Sequence, residues 1–230
     1  MDASSPSPGG GRLAIPARFN GPPGSGNGGW SAGAFAAAAG ARVGGPAVEV
    51  TLRVPPPLDT ELTVVDGAVL DGETLVASLT GRDAPIPAVA PIDLATAERA
   101  SRGYPGFSHH PFPTCYVCGP QRPDGLRIFS GPLPDGRTAA PWTVGAEVDL
   151  PVLWAALDCP GGWTALQNGR TYVLGRIAVA ATALPEPGST CVVVGEAVEF
   201  TGRKATVISS VYSAGGGLLA SGGATWIATT

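Results

Sequence analysis

Asn27-Gly28-Gly29-Trp30-Ser31-Ala32-Gly33-Ala34-Phe35-Ala36-Ala37-Ala38 opens on a diglycine and continues almost entirely in small apolar residues. A helix that is apolar all round is a buried helix, so the segment Trp30 to Ala41 is expected inside a domain, wrapped by a sheet. An extended run containing Pro55-Pro56-Pro57-Leu58-Asp59-Thr60 follows it. Further on, Gly161-Gly162-Trp163 heads a second short helix, followed by a run containing Pro185-Glu186-Pro187-Gly188-Ser189-Thr190. The offsets agree, 161 − 28 = 133 and 190 − 60 = 130. A period this long describes a whole domain copied rather than a short solenoid repeat. Each copy reads helix first, then strands.

The strand signals are period-two alternations bounded by turn residues. They fall at Leu13 to Phe19, Val48 to Val54, Glu61 to Leu70 and Thr74 to Thr80, with an Asp71-Gly72 hairpin turn between the last two. In the second copy they fall at Arg127 to Ser130, Thr138 to Val144, Thr171 to Thr182, Thr190 to Phe200, Ala205 to Tyr212 and Leu218 to Ala228. The second helical region is Val152 to Asn168. Residues 1–11, rich in Ser, Pro and Gly, read as a flexible tail. The remainder divides into an N-terminal unit at 12–84, a Pro-rich junction at 85–114 and a C-terminal unit at 115–230. One short helix is expected in the junction, from Asp93 as cap to Gly103 as stop.

Bulk composition excludes several classes of function. With 44% hydrophobic and 14% charged residues the chain can build a proper core. The net charge is −4 and the basic residues are scattered, so no nucleic-acid partner is expected. Thirteen of the 14 basic residues are Arg, beside abundant Ala, Gly and Pro, which suggests a high-GC bacterial coding bias. No basic leader precedes an apolar core at the N-terminus. No apolar run reaches the roughly 18 residues of a membrane span. The expectation is a cytoplasmic protein with no membrane partner and reduced cysteines.

The stretch Cys115-Tyr116-Val117-Cys118-Gly119-Pro120-Gln121-Arg122-Pro123-Asp124-Gly125-Leu126 resembles the leader before the first strand in acyl-CoA thioesterases of the phenylacetate-pathway type. That family has the hotdog fold, in which an antiparallel sheet wraps a central helix. The resemblance implies an α+β double hotdog: two antiparallel sheets, each wrapping a helix, joined as an intrachain pseudo-dimer with an acyl pocket between the halves. It implies an acyl-CoA or acyl-carrier-protein substrate, thioester hydrolysis and no cofactor, and it allows a homo-oligomer of such chains. A lyase or cyclase acting on a polyketide-like molecule in the same pocket, or a non-catalytic acyl binder, are the alternatives.

The resemblance also places the site. The family's His-Gly-Gly turn matches Asn27-Gly28-Gly29 and Pro160-Gly161-Gly162, whose glycine amides would hold the carbonyl oxygen at a helix N-terminus. Its acid lies about nine residues after that His. Nine onward from Asn27 is Ala36, and from Pro160 is Gly169, so neither copy has the standard base. Asp158, following the apolar Trp154-Ala155-Ala156-Leu157, is the candidate to activate water; as plainly, it is a turn or capping residue. Gln167 and Asn168 can position water, and so can Asn27, which reads equally well as a helix cap. Trp30 and Trp163 are expected to line the pocket or simply to pack the core. Arg203-Lys204 can meet phosphates at a hairpin turn.

Cys115, Cys118 and the pair His109-His110 have ligand-like spacing for zinc. A four-ligand site would have to recruit His110 and the distant Cys159, so no metal is expected. Cys191, within a strand, reads as a small buried hydrophobe.

Overall fold

The diglycine opens a helix as its composition requires: α1 (Gly28–Ala38) begins at Asn27, whose side chain accepts from the Trp30 amide, and Trp30, Ala32, Phe35 and Ala36 are buried. The computed structural model describes residues 11–166 and 169–229. The proposed tail thus lies almost wholly outside the described residues. α1 is preceded by β1 (Gly11–Leu13) and followed by β2 (Ala47–Leu52), β3 (Leu62–Val65), β4 (Ala68–Asp71) and β5 (Thr74–Arg82). Then come α2 (Leu94–Arg102), β6 (Gly131–Pro132) and β7 (Thr138–Thr143). The chain ends with α3 (Leu150–Leu166), β8 (Tyr172–Ala181), β9 (Thr190–Thr201), β10 (Lys204–Tyr212) and β11 (Leu218–Ala228).

Among the described residues the strands form one antiparallel sheet of 11, not the two sheets expected, in the order β1-β3-β4-β5-β2-β8-β11-β10-β9-β7-β6. The order contains the same pattern twice. In each part a strand before the central helix (β1 or β7) pairs with the second strand after it (β3 or β9). The third and fourth follow, and the first (β2 or β8) closes the row. The continuity comes from β2 pairing antiparallel with β8, Val50 opposite Ile177 and Glu49 opposite Ala178. Each would otherwise be an open edge. Glu49 ties this seam on its outer face, with Arg82 at 3.1 Å and Arg176 at 3.3 Å.

Under the sheet α1 lies against α3. A Cβ on Gly29 would stand 2.5 Å from Asp158 Cβ and 2.8 Å from the Trp154 oxygen, and one on Gly33 would stand 2.8 Å from Pro151 Cα. Two glycines one helical turn apart therefore set the close approach of the helices. The apolar helices and the inner sheet face share one core containing Phe35, Val50, Leu157 and Ile177. α2 starts at Asp93, which accepts from the Thr96 amide, and ends at Gly103, as expected. It buries Ala97 and Ala100 against a smaller cluster with Val192 and Tyr212.

Several local expectations fail for identifiable reasons. Leu13 to Phe19 is not one strand, because Pro16 leads into a single 3-10 turn at Ala17–Phe19. Glu61 to Leu70 is broken by a hairpin turn at Asp66-Gly67, both with positive φ (48° and 74°). Arg127 to Ser130 is not a strand; the leader instead folds on itself, with Leu126 and Ile128 donating to the Tyr116 and Val117 oxygens. The chief correction concerns Gly161-Gly162-Trp163, which does not head a helix. It lies deep in α3, whose start is capped by Asp149 accepting from the Val152 amide at 2.9 Å.

Candidate functional site

The first turn of α1 has amides with no partner inside the helix. The Trp30 amide is taken by Asn27 Oδ1 at 2.8 Å, and the Ser31 amide by the Asn27 carbonyl oxygen at 2.9 Å. The Gly29 amide donates to Asp158 Oδ2 at 3.0 Å, and Asn27 Nδ2 donates to the same oxygen at 3.0 Å. The Asp158 carboxylate, reaching across from α3, thus sits on the positive end of α1. Its other oxygen, Oδ1, is buried without a hydrogen-bond partner. Asp158 is 2% exposed. Burial raises its carboxyl to about 7, a rise moderated by the bonds from Gly29 and Asn27.

The Gly28 amide remains, and Gly28 lines the small cavity into which this constellation opens. Asn27, Asp158, Cys159, Trp163 and Trp226 also line it. Its volume is about 40 Å³, room for a few water-sized groups. A shallower groove of about 340 Å³ adjoins it and shares Pro22, Gly28, Val173 and Leu174. Arg53 is the charged residue lining that groove. Gly28 cannot carry a side chain, since a Cβ would stand 2.8 Å from Leu174 Cβ.

Of the residues singled out from sequence, Asn27, Gly28, Gly29 and Asp158 come together, and Trp163 joins them at the cavity wall. Trp30 does not line the cavity. It stacks on Phe19 with ring centroids 3.9 Å apart. Gly161 and Gly162 are not amide donors at a helix start; they are where α3 presses on the sheet. A Cβ on Gly161 would stand 2.6 Å from Val207 Cγ2, and one on Gly162 2.4 Å from the Trp226 ring. Gln167 and Asn168 lie outside the described residues. Arg203 donates from Nε to the Ala228 oxygen at 3.1 Å, and neither it nor Lys204 lines the cavity or the groove.

The count for the acid changes once the true helix start is used. Asp149 caps α3 as Asn27 caps α1, and 158 − 149 = 9, so Asp158, rather than Gly169, stands nine residues beyond the cap. The same count from Asn27 ends at Ala36, fully buried. Position 29 of α1 corresponds to Pro151 of α3, counted from each cap. Proline has no amide to offer. The acid and the amide that meets it are therefore both present at the start of α1 and both missing at the start of α3. The available signal was Asp149-Leu150-Pro151, a capping acid followed by an early proline.

Several solved structures resemble this chain over nearly its whole length. A provisionally assigned thioesterase from Novosphingobium aromaticivorans matches with a TM-score of 0.65 at 17% identity, covering 95% of each chain. The tesB protein of Mycobacterium avium subs paratuberculosis matches at 0.60 and 12%, covering 96% of this chain and 93% of that one. A conserved protein with the hot dog fold from Alicyclobacillus acidocaldarius matches at 0.55 and 14%, covering 95% and 92%. The chain has the hotdog fold. No family model matches the sequence, and no curated protein matches it. The hotdog likeness therefore rests on shape, and the chemistry has to be argued from the residues of the site. No described helix is long and apolar enough to cross a membrane.

Proposed function

We propose that the chain is a double hotdog, an intrachain pseudo-dimer with units near 12–84 and 115–230, that hydrolyses a short acyl thioester at a single site. The observation that carries this reading is the buried Asp158 of the second unit bound to the Gly29 amide at the start of the first unit's helix. In this mechanism the acyl group enters the small cavity and its thiol carrier lies in the groove beside Arg53. The carbonyl oxygen meets the Gly28 amide, where the helix dipole stabilises the charge that develops as water attacks. Oδ1 of Asp158 takes the proton of that water, and Oδ2 stays fixed by Gly29 and Asn27, which aims the base. The tetrahedral intermediate then expels the carrier thiolate.

Incubation of the full chain with acyl-CoA esters from acetyl upward, following release of free thiol, tests the reading. Turnover of short esters that weakens as the acyl chain lengthens is the expected result. Absence of turnover across the panel would refute the hydrolase assignment. A long acyl ligand found tightly bound in the purified protein would then favour an acyl binder.

A further inference from the structure

Cys115, Cys118 and Cys159 are each at most 5% exposed, and their sulfur atoms all lie within 4.8 Å of one another. The first two come from the leader and the third from the middle of α3, so the fold gathers residues that are 44 apart (159 − 115) in sequence. All three line the small cavity, where His110 is the only basic side chain among the described residues. Four thiols are free in the described chain, so no disulfide accounts for the cluster.

We propose that Cys115, Cys118 and Cys159 bind a thiophilic divalent cation, zinc in the first instance, leaving its fourth position to a small ligand in the cavity. Tetrahedral zinc–thiolate geometry with bonds of about 2.3 Å places sulfur atoms roughly 3.8 Å apart. The observed cluster needs little adjustment to reach that spacing. Three soft sulfur donors select against magnesium or calcium.

Hydrogen-bond donors face the Cys115 and Cys118 sulfurs. The amides of Val117 and Cys118 are directed at the Cys115 sulfur. Asn27 Nδ2 lies 3.8 Å from it. His110 is a partner of the sulfur, not a fourth ligand. Its Nδ1 accepts from the Phe112 amide at 2.8 Å, so its hydrogen is on Nε2, which points at Cys118 Sγ at 3.3 Å. Hydrogen-bond donors of this kind fix metal-bound groups and tune them. Asp158, whose Oδ1 is buried without a partner, lines the same cavity.

Such an ion would fasten the leader to α3. The leader has no regular secondary structure between Cys115 and Phe129, yet it bridges both units, Tyr116 and Arg122 donating to Asn20. On binding, each thiol gives up its proton to solvent as its sulfur lone pair joins the metal, and no oxidant or reductant is needed.

The experiment is metal analysis of the full chain purified under reducing, oxygen-free conditions, followed by Co(II) titration of chelator-treated protein. The expected result is about one zinc per chain and a cobalt spectrum with strong sulfur-to-metal charge transfer and tetrahedral ligand-field bands. Zn(II) should displace the cobalt. Cys115→Ser, Cys118→Ser and Cys159→Ser should each weaken cobalt binding by more than about 100-fold, beyond the range of changes to outer partners such as His110→Gln. Cys191→Ser should bind as the wild type does. If a ligand variant fails to fold, the wild-type spectrum and metal content still decide. Reduced wild-type chain without metal or charge transfer would overturn the proposal, as would an unchanged spectrum in folded Cys159→Ser. Two thiols lost to a disulfide in the native protein, recovered only by a reductant, would overturn it too. None of these readouts depends on thioester turnover, so they remain decisive if the hydrolase reading fails.

Discussion

Replacing Asp158 separates what the carboxylate holds from what it does. Its Oδ2 accepts from two buried donors, the Gly29 amide and Asn27 Nδ2, both at 3.0 Å. Asp158→Ala leaves both unpaired in a closed interior. At about 1–3 kcal/mol for each buried donor left unsatisfied, the loss is about 2–6 kcal/mol. Asp158→Asn keeps the shape and an acceptor oxygen. It gives up the charge-assisted part of those bonds, about 1 kcal/mol, but no longer buries an ionisable group. The amide cannot take a proton from water, so acyl-CoA hydrolysis should fall by about 10²- to 10⁴-fold in both variants. Denaturant unfolding and thiol release, measured on the same preparations, give the comparison. Asp158→Asn should be close to wild type in stability and nearly inert, whereas Asp158→Ala should be inert and much less stable. Wild-type turnover in a folded Asp158→Asn protein would show that the carboxylate only ties the helices together.

Other perturbations reach neighbouring parts of the argument. Arg53→Ala should raise KM for acyl-CoA esters by about tenfold or less, as expected for one charge contact at a partly exposed surface, and leave truncated thioesters without phosphates unaffected. Equal effects on both substrates would remove the carrier from that groove. Gly195→Ala should lower stability by about 1–3 kcal/mol, because its Cβ would meet the Pro160 backbone at 2.4 Å, and backbone cannot rotate away. An unchanged denaturation midpoint would mean that α3 does not press on β9 as described. Ala36→Asp restores an acid at the matching position of α1, fully buried and with Pro151 in place of an amide donor. It should cost about 3 kcal/mol or more and add no turnover, and a second competent site, seen as a higher rate per chain, would contradict the single-site reading.

The sequence showed the shape of this protein more readily than its register. The Ala- and Gly-rich run after Asn27 marked a buried helix because no polar face was available, and α1 is that helix. The long alternating runs from Thr171 onward marked strands because half-buried strands write their burial with period two, and β8 to β11 follow those runs. The two Gly-Gly-Trp triplets misled because glycine answers two separate demands. Gly28 and Gly29 admit Leu174 and Asp158 at a helix start, while Gly161 and Gly162 admit Val207 and the Trp226 ring in the middle of a helix. Identical letters met different neighbours, and neighbours are what a sequence does not print. The repeat that does exist is one of strand order, with equivalent caps at Asn27 and Asp149, 122 positions apart (149 − 27). With that register the acid falls at Asp158 in one half and is replaced by Ala36 in the other. The amide opposite it falls at Gly29 in one half and is lost at Pro151 in the other. A homodimer cannot differ this way, because each copy must supply both helix start and acid. On the two-unit reading proposed above, two units in one chain can, and the half relieved of its acid is free to use proline and alanine where the helices pack.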